Sequence, residues 1–193
     1  MIKLIFNEIK QILNFFANYF PGRLGILLRK LLYKARFKSL GKNLFTEIGF
    51  KVTCPQNIIL GDNAHFMRGC SLNSCTGKIE IGNNFSINQN VDINSSDGGE
   101  ILIGSDVSIG NNVVIRASDH VYKDKQKKIN ESGHAPGKII IEDNVWIASN
   151  CVILRGVTIK KNSVIGAGTV VKKNVNENEL VVSSIQVNKK IQY

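Results

Sequence analysis

The sequence is poor in residues that stiffen or cross-link a chain. Its 193 residues include three prolines, one tryptophan and four cysteines, Cys54, Cys70, Cys75 and Cys151. No two of these cysteines form a C-x-x-C pair, which argues against a zinc ribbon or a thioredoxin-like redox site. We therefore expect reduced, structural thiols of the kind found in cytosolic proteins, rather than disulfides or a metal site.

Long apolar runs are also missing. The longest uncharged N-terminal run, residues 11–22, is too short to cross a bilayer as a helix. The first ten residues include Asn7, Glu8 and Lys10 in place of the unbroken apolar region of a secretory signal. Both observations predict a cytoplasmic protein without a membrane-spanning segment.

Positive charge is abundant but is concentrated at one end. Residues 1–42 hold nine Lys and Arg residues and one acid, Glu8, whereas residues 43–193 hold sixteen basic and fourteen acidic residues. Most of the formal charge of +10 therefore belongs to the N-terminal segment. A nucleic-acid-binding domain more often carries a basic stripe with stacking aromatic residues on its folded body, so we expect no nucleic-acid partner.

Two helical patterns occupy the N-terminal segment, which we extend to residues 1–50. Apolar residues recur at helical spacing over residues 2–20, and Pro21 and Gly22 interrupt the pattern. A second pattern, with basic residues among its leucines, covers residues 23–40. The helices are expected to cap the open end of the domain that follows. A basic amphipathic segment is also typical of peripheral contact with an anionic membrane, so residues 1–40 could contact its inner face.

A six-residue repeat dominates the rest of the sequence. A β-branched apolar residue opens every block, and a mostly small residue lies four places later. The openers in the clearest stretch are Ile141, Ile147, Ile153, Ile159, Ile165 and Val171. This period fits neither an amphipathic helix nor an alternating strand, and it is that of a parallel β-helix. Cys70 and Cys151 occupy the small, inward position of their blocks.

Small insertions after every third block indicate that three blocks form one triangular turn. Extra residues precede the openers Ile81 and Ile103, and Ile141 then lies beneath Ile159 in the next turn. We predict an all-β fold, a β-helix of about five turns within a domain of residues 51–180. A polar, lysine-rich loop of residues 121–138 is extruded from it, and residues 181–193 form a C-terminal tail.

His120 is the strongest candidate for chemistry. It closes the block that Ile115 opens and directly precedes the extruded loop, so we expect it at a corner with access to solvent. Long loops that leave a regular solenoid are often functional. The other two histidines are weaker candidates, since His65 ends an early block and His134 lies within the loop.

These motifs resemble a known family. The repeats, the Ser118-Asp119-His120 sequence before the loop and the re-entry sequence of residues 139–149 are similar to the left-handed β-helix, hexapeptide-repeat acyltransferases. The chain is most similar to their sugar O-acetyltransferase branch. The start of the chain, including residues 20–25, resembles acetyltransferases of bacterial surface-polysaccharide biosynthesis. The resemblance implies left-handed turns, a homotrimer and acetyl-CoA as the donor, with no metal required.

The resemblance also implies roles for single residues. His120 matches the family's catalytic histidine, and Asp119, assigned to the inward position of its block, would orient the imidazole ring. Asn88 and Trp146 match positions that line the acceptor cleft. The positions that hold the donor are matched by Ser149, Ala167, Gly168, Lys172 and Lys173. Residues 183–190 differ from the Gly-Asn-Pro-Ala-Lys segment with which the family usually ends its repeat.

Three alternatives stay open at this point. The same fold, donor and base would also serve N-acetylation of an amino sugar. A non-enzymatic β-helix scaffold would need no exposed histidine before a loop. A γ-type carbonic anhydrase needs three histidines on one metal, and His65, His120 and His134 do not have the expected spacing. The sequence favours transfer of an acetyl group to a sugar hydroxyl of a surface-polysaccharide precursor.

Overall fold

The computed structural model describes residues 2–123 and 126–183, which form two α-helices followed by a three-sided solenoid of short strands. The helices are α1 (Ile2–Tyr19) and α2 (Gly22–Lys34), and two short 3-10 turns lie at Pro55–Asn57 and Ile129–Glu131. The strands are β1 (Ser39–Leu40), β2 (Phe45–Thr46), β3 (Lys51–Thr53), β4 (Ile58–Leu60), β5 (His65–Phe66), β6 (Ser71–Asn73), β7 (Lys78–Ile81), β8 (Ser86–Ile87), β9 (Asp92–Asn94), β10 (Glu100–Ile103), β11 (Ser108–Ile109), β12 (Val114–Arg116), β13 (Ser118–His120), β14 (His134–Pro136), β15 (Lys138–Ile141), β16 (Trp146–Ile147), β17 (Val152–Ile153), β18 (Thr158–Ile159), β19 (Val164–Ile165), β20 (Val170–Val171) and β21 (Leu180–Val181).

The strands of the solenoid form three parallel sheets, one for each side of a left-handed β-helix, as predicted. Sheet 1 contains β1, β4, β7, β10, β15 and β18; sheet 2 contains β2, β5, β8, β11, β16, β19 and β21; sheet 3 contains β3, β6, β9, β12, β17 and β20. The solenoid has about six turns. The first turn, residues 39–53, precedes the first block recognised in the sequence. Its blocks do not show the repeat clearly, because its inward residue in sheet 2, Thr46, is polar.

Inward residues stack in register to form the core. Ile141 lies between Ile103 and Ile159, and Ile147 pairs with Ile165, as the repeat predicts. These side chains are buried, and burying each one contributes roughly 1.5–3 kcal/mol. Since no block can bury its opener alone, the turns are stable only as a stack.

The three edges of the solenoid differ in how much their length varies. We call the edges between sheets 1 and 2, sheets 2 and 3, and sheets 3 and 1 the first, second and third edges. At the first two edges one block follows another without insertion, and asparagines such as Asn84 and Asn112 adopt φ values of 55° and 57°, which asparagine tolerates better than most residues. Equivalent residues of successive turns are 20, 21, 22, 38, 18 and 16 positions apart. The differences in length all lie at the third edge.

A disulfide corrects the expectation that all four thiols are reduced. Cys54 and Cys75 lie at the third edge in successive turns, 5.2 Å apart between their Cα atoms, and are bonded to each other. They meet because the turn at this level advances 21 residues, which is also their separation in the sequence. Cys70 and Cys151 are free and buried at inward positions, as predicted, and burial raises the pKa of both thiols.

The N-terminal helices pack on the first turn through hydrogen bonds and through an aromatic contact between Tyr33 and Phe50. Arg29 of α2 is buried, and its guanidinium donates hydrogen bonds to the backbone oxygens of Thr46, Ala17 and Phe20 at 2.9–3.1 Å. The Tyr33 hydroxyl lies 3.1 Å from the backbone oxygen of Phe50, and burial raises the pKa of Tyr33 to about 12. Together they attach the helices to the N-terminal end of the core.

Two further points concern the ends of the chain. Within residues 2–123 and 126–183, no helix combines the length and apolar character needed to span a bilayer. At the other end, the structure describes the tail only to Ser183. The unusual segment that the sequence places at residues 183–190 therefore lies almost entirely outside the described residues.

Candidate functional site

A hairpin leaves the solenoid at the third edge and carries the candidate histidine. After β12 the chain departs from the turn, and β13 pairs with β14 in antiparallel register, with His120 opposite His134. The backbone amide of Gly137 then donates to the oxygen of Ala117 at 2.7 Å, so the chain returns where it left. Its first strand precedes the loop predicted for residues 121–138, and its second strand lies inside that loop. Residues 124 and 125 lie outside the described part.

His120 is exposed at the end of β13, in contact with a second histidine. Its ring centroid lies 4.2 Å from that of His134, with an angle of 38° between the planes. His134 Nδ1 in turn lies 3.8 Å from Asp97 Oδ2, at the third edge of the preceding turn. The result is a row of an exposed imidazole, a second imidazole and a carboxylate. Sequence reasoning ranked His134 low and did not consider Asp97.

Asp119 does not occupy the inward position that the block count assigns to it. Ala117 and Ser118 are fully buried, and Asp119 comes after them on the hairpin, with 42% of its side chain exposed. Its carboxylate oxygen accepts a hydrogen bond from Arg155 Nε at 2.7 Å. The assignment fails because the chain leaves the turn before this block is complete. Asp119 therefore anchors the base of the hairpin to the next turn.

The predicted acceptor residues lie elsewhere on the solenoid. Asn88 is exposed at the second edge, directly after β8. Trp146 lies on the outer face of sheet 2, with a relative exposure of 55%, in a column between Ser108 and Val164. It points outward because its neighbours Val145 and Ile147 face the core. The structure therefore presents both side chains to solvent, on sides of the solenoid other than the third edge.

Three predicted donor-binding residues lie together at the second edge. The Ser149 hydroxyl accepts a hydrogen bond from the Asn111 amide at 3.2 Å, and its carbonyl oxygen accepts one from the Gly168 amide at 2.9 Å. Gly168 has a φ of 72°, and no atom lies within 4 Å of the position a β-carbon would take. Ala167 lies between these groups and is exposed. This surface is open and has exposed backbone.

Lys172 and Lys173 lie at the third edge, near the C-terminal end of the solenoid. Both are exposed and line a groove of about 340 Å³, together with Val170, Asn174, Val175 and Val181. Ammonium groups beside a partly apolar groove suit a ligand with phosphate groups and an extended apolar part. The groove is two turns beyond the turn that carries His120.

The candidate residues thus form two groups that one chain does not bring together. His120, His134, Asp97, Asp119 and Arg155 are at the third edge, whereas Asn88, Ser149, Ala167 and Gly168 are at the second edge. Sheet 3 separates the two edges. Among the residues that the structure describes, no group of three or more His, Cys, Asp or Glu side chains could hold a metal ion.

Comparison with known proteins supports the assignment of the six-residue repeat. Residues 138–173 match the model of the bacterial transferase hexapeptide family, described by six repeats. None of the curated proteins matches the sequence. Solved structures give the broader match.

Three solved structures illustrate the similarity. A maltose O-acetyltransferase from Clostridium difficile 630 is 27% identical, with a TM-score of 0.61, covering 95% of this chain and 84% of that one. The hexapeptide-repeat acetyltransferase VCA0836 from Vibrio cholerae O1 biovar eltor, complexed with acetyl coenzyme A, is 25% identical, with a TM-score of 0.59 and coverages of 90% and 80%.

The third is a mutant of AntD, an N-acyltransferase from Bacillus cereus, in complex with dTDP and coenzyme A. It is 22% identical, with a TM-score of 0.69 and coverages of 84% and 90%. At that identity the likeness concerns the fold alone. Residues 138–173 thus match the hexapeptide repeat of bacterial transferases, and the solenoid as a whole has the fold of the similar solved acyltransferases.

Proposed function

We propose that this protein is an acyltransferase that moves an acetyl group from acetyl-CoA to a sugar hydroxyl, with His120 as the general base. The observation that carries the proposal is the exposed imidazole of His120 on a hairpin that leaves the solenoid at one edge. The similarity to an acetyltransferase complexed with acetyl coenzyme A and to a maltose O-acetyltransferase supports it.

The chemistry requires a base at this point. A sugar hydroxyl is a poor nucleophile near neutral pH, so a neutral imidazole takes its proton as the oxygen attacks the thioester carbonyl carbon. Collapse of the tetrahedral intermediate breaks the carbon–sulfur bond, and the protonated imidazole returns the proton to the CoA thiolate. His134, stacked on His120 and facing Asp97, would hold the ring that performs this step.

A homotrimer would complete the site. The two groups of candidate residues lie on different edges of one chain, so a third edge must face a second edge of a neighbouring copy for them to meet. In that arrangement Asn88 and Trp146 would contact the acceptor. Ser149, Ala167 and Gly168 would bind the pantetheine arm through backbone groups, and Lys172 and Lys173 would lie near the nucleotide phosphates.

The acceptor class is proposed from similarity alone. We propose a sugar of a surface-polysaccharide precursor, acetylated on oxygen, in the cytoplasm where CoA thioesters are made. N-acetylation of an amino sugar is the second candidate, because the fold also matches AntD, an N-acyltransferase. The two differ only in the attacking atom, and both use the same base. An acceptor screen with paired amino and hydroxy sugars separates them.

The test compares His120→Ala with His65→Ala as a matched control. His65 is also an exposed histidine, but it lies on the outer face of sheet 2 beside Phe45. With acetyl-CoA, a panel of sugars and release of free thiol as the readout, His120→Ala should lower the transfer rate about 10²–10⁴-fold. His65→Ala should leave it unchanged. Near-normal turnover by His120→Ala, with the melting temperature retained, would reject the role of His120.

Binding of CoA is measured separately, because it does not depend on the base. Calorimetric titration with CoA should give saturable binding to both histidine variants and the wild type. A wild type that binds no CoA would reject the donor. Light scattering should give the mass of three chains, and a monomer that remains active would reject the site between subunits.

A further inference from the structure

The N-terminal helices expose an unusual amount of apolar side chain. Among the residues that the structure describes, eighteen large apolar side chains are exposed, and twelve of them lie between residues 5 and 31. The twelve are Ile5, Ile9, Ile12, Leu13, Phe15, Phe16, Tyr19, Phe20, Leu24, Leu27, Leu28 and Leu31, with relative exposures of 39–61%. A concentration of this kind marks an interaction surface.

The packing of the helices on the end of the solenoid does not cover these side chains. The backbone oxygen of Asn18 in α1 accepts a hydrogen bond from the Gly49 amide at 3.0 Å, and α2 contacts the first turn through Arg29 and Tyr33, which are buried. Arg29 donates three hydrogen bonds to Thr46 of the first turn, one to Ala17 of α1 and one to Phe20 between the helices, and the Tyr33 ring packs edge-on against Phe50. These contacts fix the helices in place through side chains other than the twelve exposed ones.

The charge of residues 1–42 indicates which partner binds the exposed apolar side chains. Residues 1–42 carry nine basic residues against one acid, and Arg23, Lys30, Lys34 and Lys38 are exposed beside the apolar side chains. A second copy of the same segment would bring like charges together. An anionic lipid surface offers both negative headgroups for the lysines and an acyl region for the leucines and phenylalanines. We propose that α1 and α2 bind the surface of an anionic membrane, lying in its interface without crossing it.

Binding through α1 and α2 would place the N-terminal end of the solenoid at the membrane surface. His120 leaves the fourth turn, and neighbouring strands in a parallel sheet are spaced about 4.8 Å apart, so it lies roughly 15 Å above the first turn. On the basis of the proposed function, an acceptor attached to a lipid would reach the third edge at that height. The membrane contact itself does not depend on catalysis.

Vesicle flotation with the full-length protein tests the proposal. We expect the protein to float with vesicles of phosphatidylcholine and phosphatidylglycerol at a ratio of seven to three, and to float less with phosphatidylcholine alone. Phe16→Glu combined with Leu27→Glu should lower the vesicle-bound to free ratio at least tenfold, because each side chain loses its apolar contact. The matched control is Leu180→Glu with Val182→Glu, two exposed apolar residues near the opposite end, which should float as the wild type does.

A second pair of variants tests the charge. Lys30→Gln with Lys34→Gln should lower binding to the anionic vesicles about tenfold or more, and Lys160→Gln with Lys161→Gln should not. Failure of the wild type to float, equal flotation by the Phe16/Leu27 variant, or equal binding to neutral vesicles would each overturn the proposal. If the wild type does not float and the Phe16/Leu27 variant has a smaller mass than the wild type by light scattering, the exposed face binds a second copy of the chain instead.

Discussion

The solenoid and the N-terminal helices distribute apolar and charged side chains in opposite ways. In the solenoid, inward residues such as Ile101 and Ile115 are fully buried, and the charged residues lie on the outside. In the helices, large apolar side chains such as Leu13 and Phe16 are exposed, and Arg29 is buried at the contact with the first turn. Burial inside the chain stabilises the first region, whereas the hydrogen bonds of Arg29 and the contact of Tyr33 with Phe50 hold the second region in place.

This difference separates two uses of apolar surface. Stacked isoleucines stabilise the fold and are not available for contact with other molecules. The leucines and phenylalanines of the helices contribute little to the fold and remain available. A rigid domain and an apolar interaction surface can therefore lie in different segments of one chain, provided that a specific contact joins the two segments.

The largest effect that sharpens this comparison comes from truncating the same kind of side chain in each region. Ile101→Ala should lower the free energy of unfolding by about 2–5 kcal/mol, because it leaves a cavity in a stacked column. Leu27→Ala should change it by less than about 0.5 kcal/mol, since its side chain is half exposed. Urea unfolding of both variants measures the difference. Equal losses would mean that the helix face is buried in solution.

The disulfide lies next to the boundary between the two regions and gives the next largest effect. Cys54 and Cys75 join the first two turns across 21 residues, a closure worth about 3 kcal/mol in the chain-entropy description. Reductant should therefore lower the free energy of unfolding by about that amount. The Cys54→Ser, Cys75→Ser double variant provides the control, because reductant should not affect it further. An unchanged free energy of unfolding of the wild type in the presence of reductant would contradict the prediction.

Alkaline pH should weaken the helix attachment by a slightly smaller amount. Burial raises the pKa of Tyr33 from its ordinary value of 10.0 to about 12, so the folded state favours the neutral phenol. The unfolded chain ionises first, and the stabilisation is complete below pH 10 and is lost as the pH rises towards 12. The loss amounts to at most about 2.7 kcal/mol.

Tyr33→Phe isolates this effect, because phenylalanine keeps the ring and cannot ionise. Subtracting the stability of the variant from that of the wild type at each pH removes the contribution of the lysines, which titrate in the same range. The difference should fall between pH 10 and 12. A difference that stays constant over this range would show that the Tyr33 hydroxyl is not buried.

Features of the fold that repeat could be predicted, and features that depend on the length of one edge could not. The stacking of Ile141 on Ile159 follows from a constant block length. The six-residue blocks of the first turn were not recognised, because Thr46, its inward residue in sheet 2, is polar and contacts Arg29. The Cys54–Cys75 bond depends on the number of residues in one particular turn, which the sequence does not reveal before the first turn is recognised.

The candidate site shows the same division. The exposure of His120 at the third edge follows from the point at which the repeat stops. Its neighbour His134 comes from an antiparallel register, which a loop of unknown shape leaves undetermined. The inward placement of Asp119 was wrong because the block count was continued beyond Ala117, where the chain has already left the turn.

The variable length of the third edge has an evolutionary consequence. The first and second edges keep their block length in every turn, while the third accommodates turns of 16 to 38 residues without a change in register on any sheet. Insertions, deletions and exchanges of loop sequence at this edge therefore leave the stacked core untouched. Descendants of such a protein can change what they recognise beside the histidine by altering one edge, and the stability of the fold does not constrain that search.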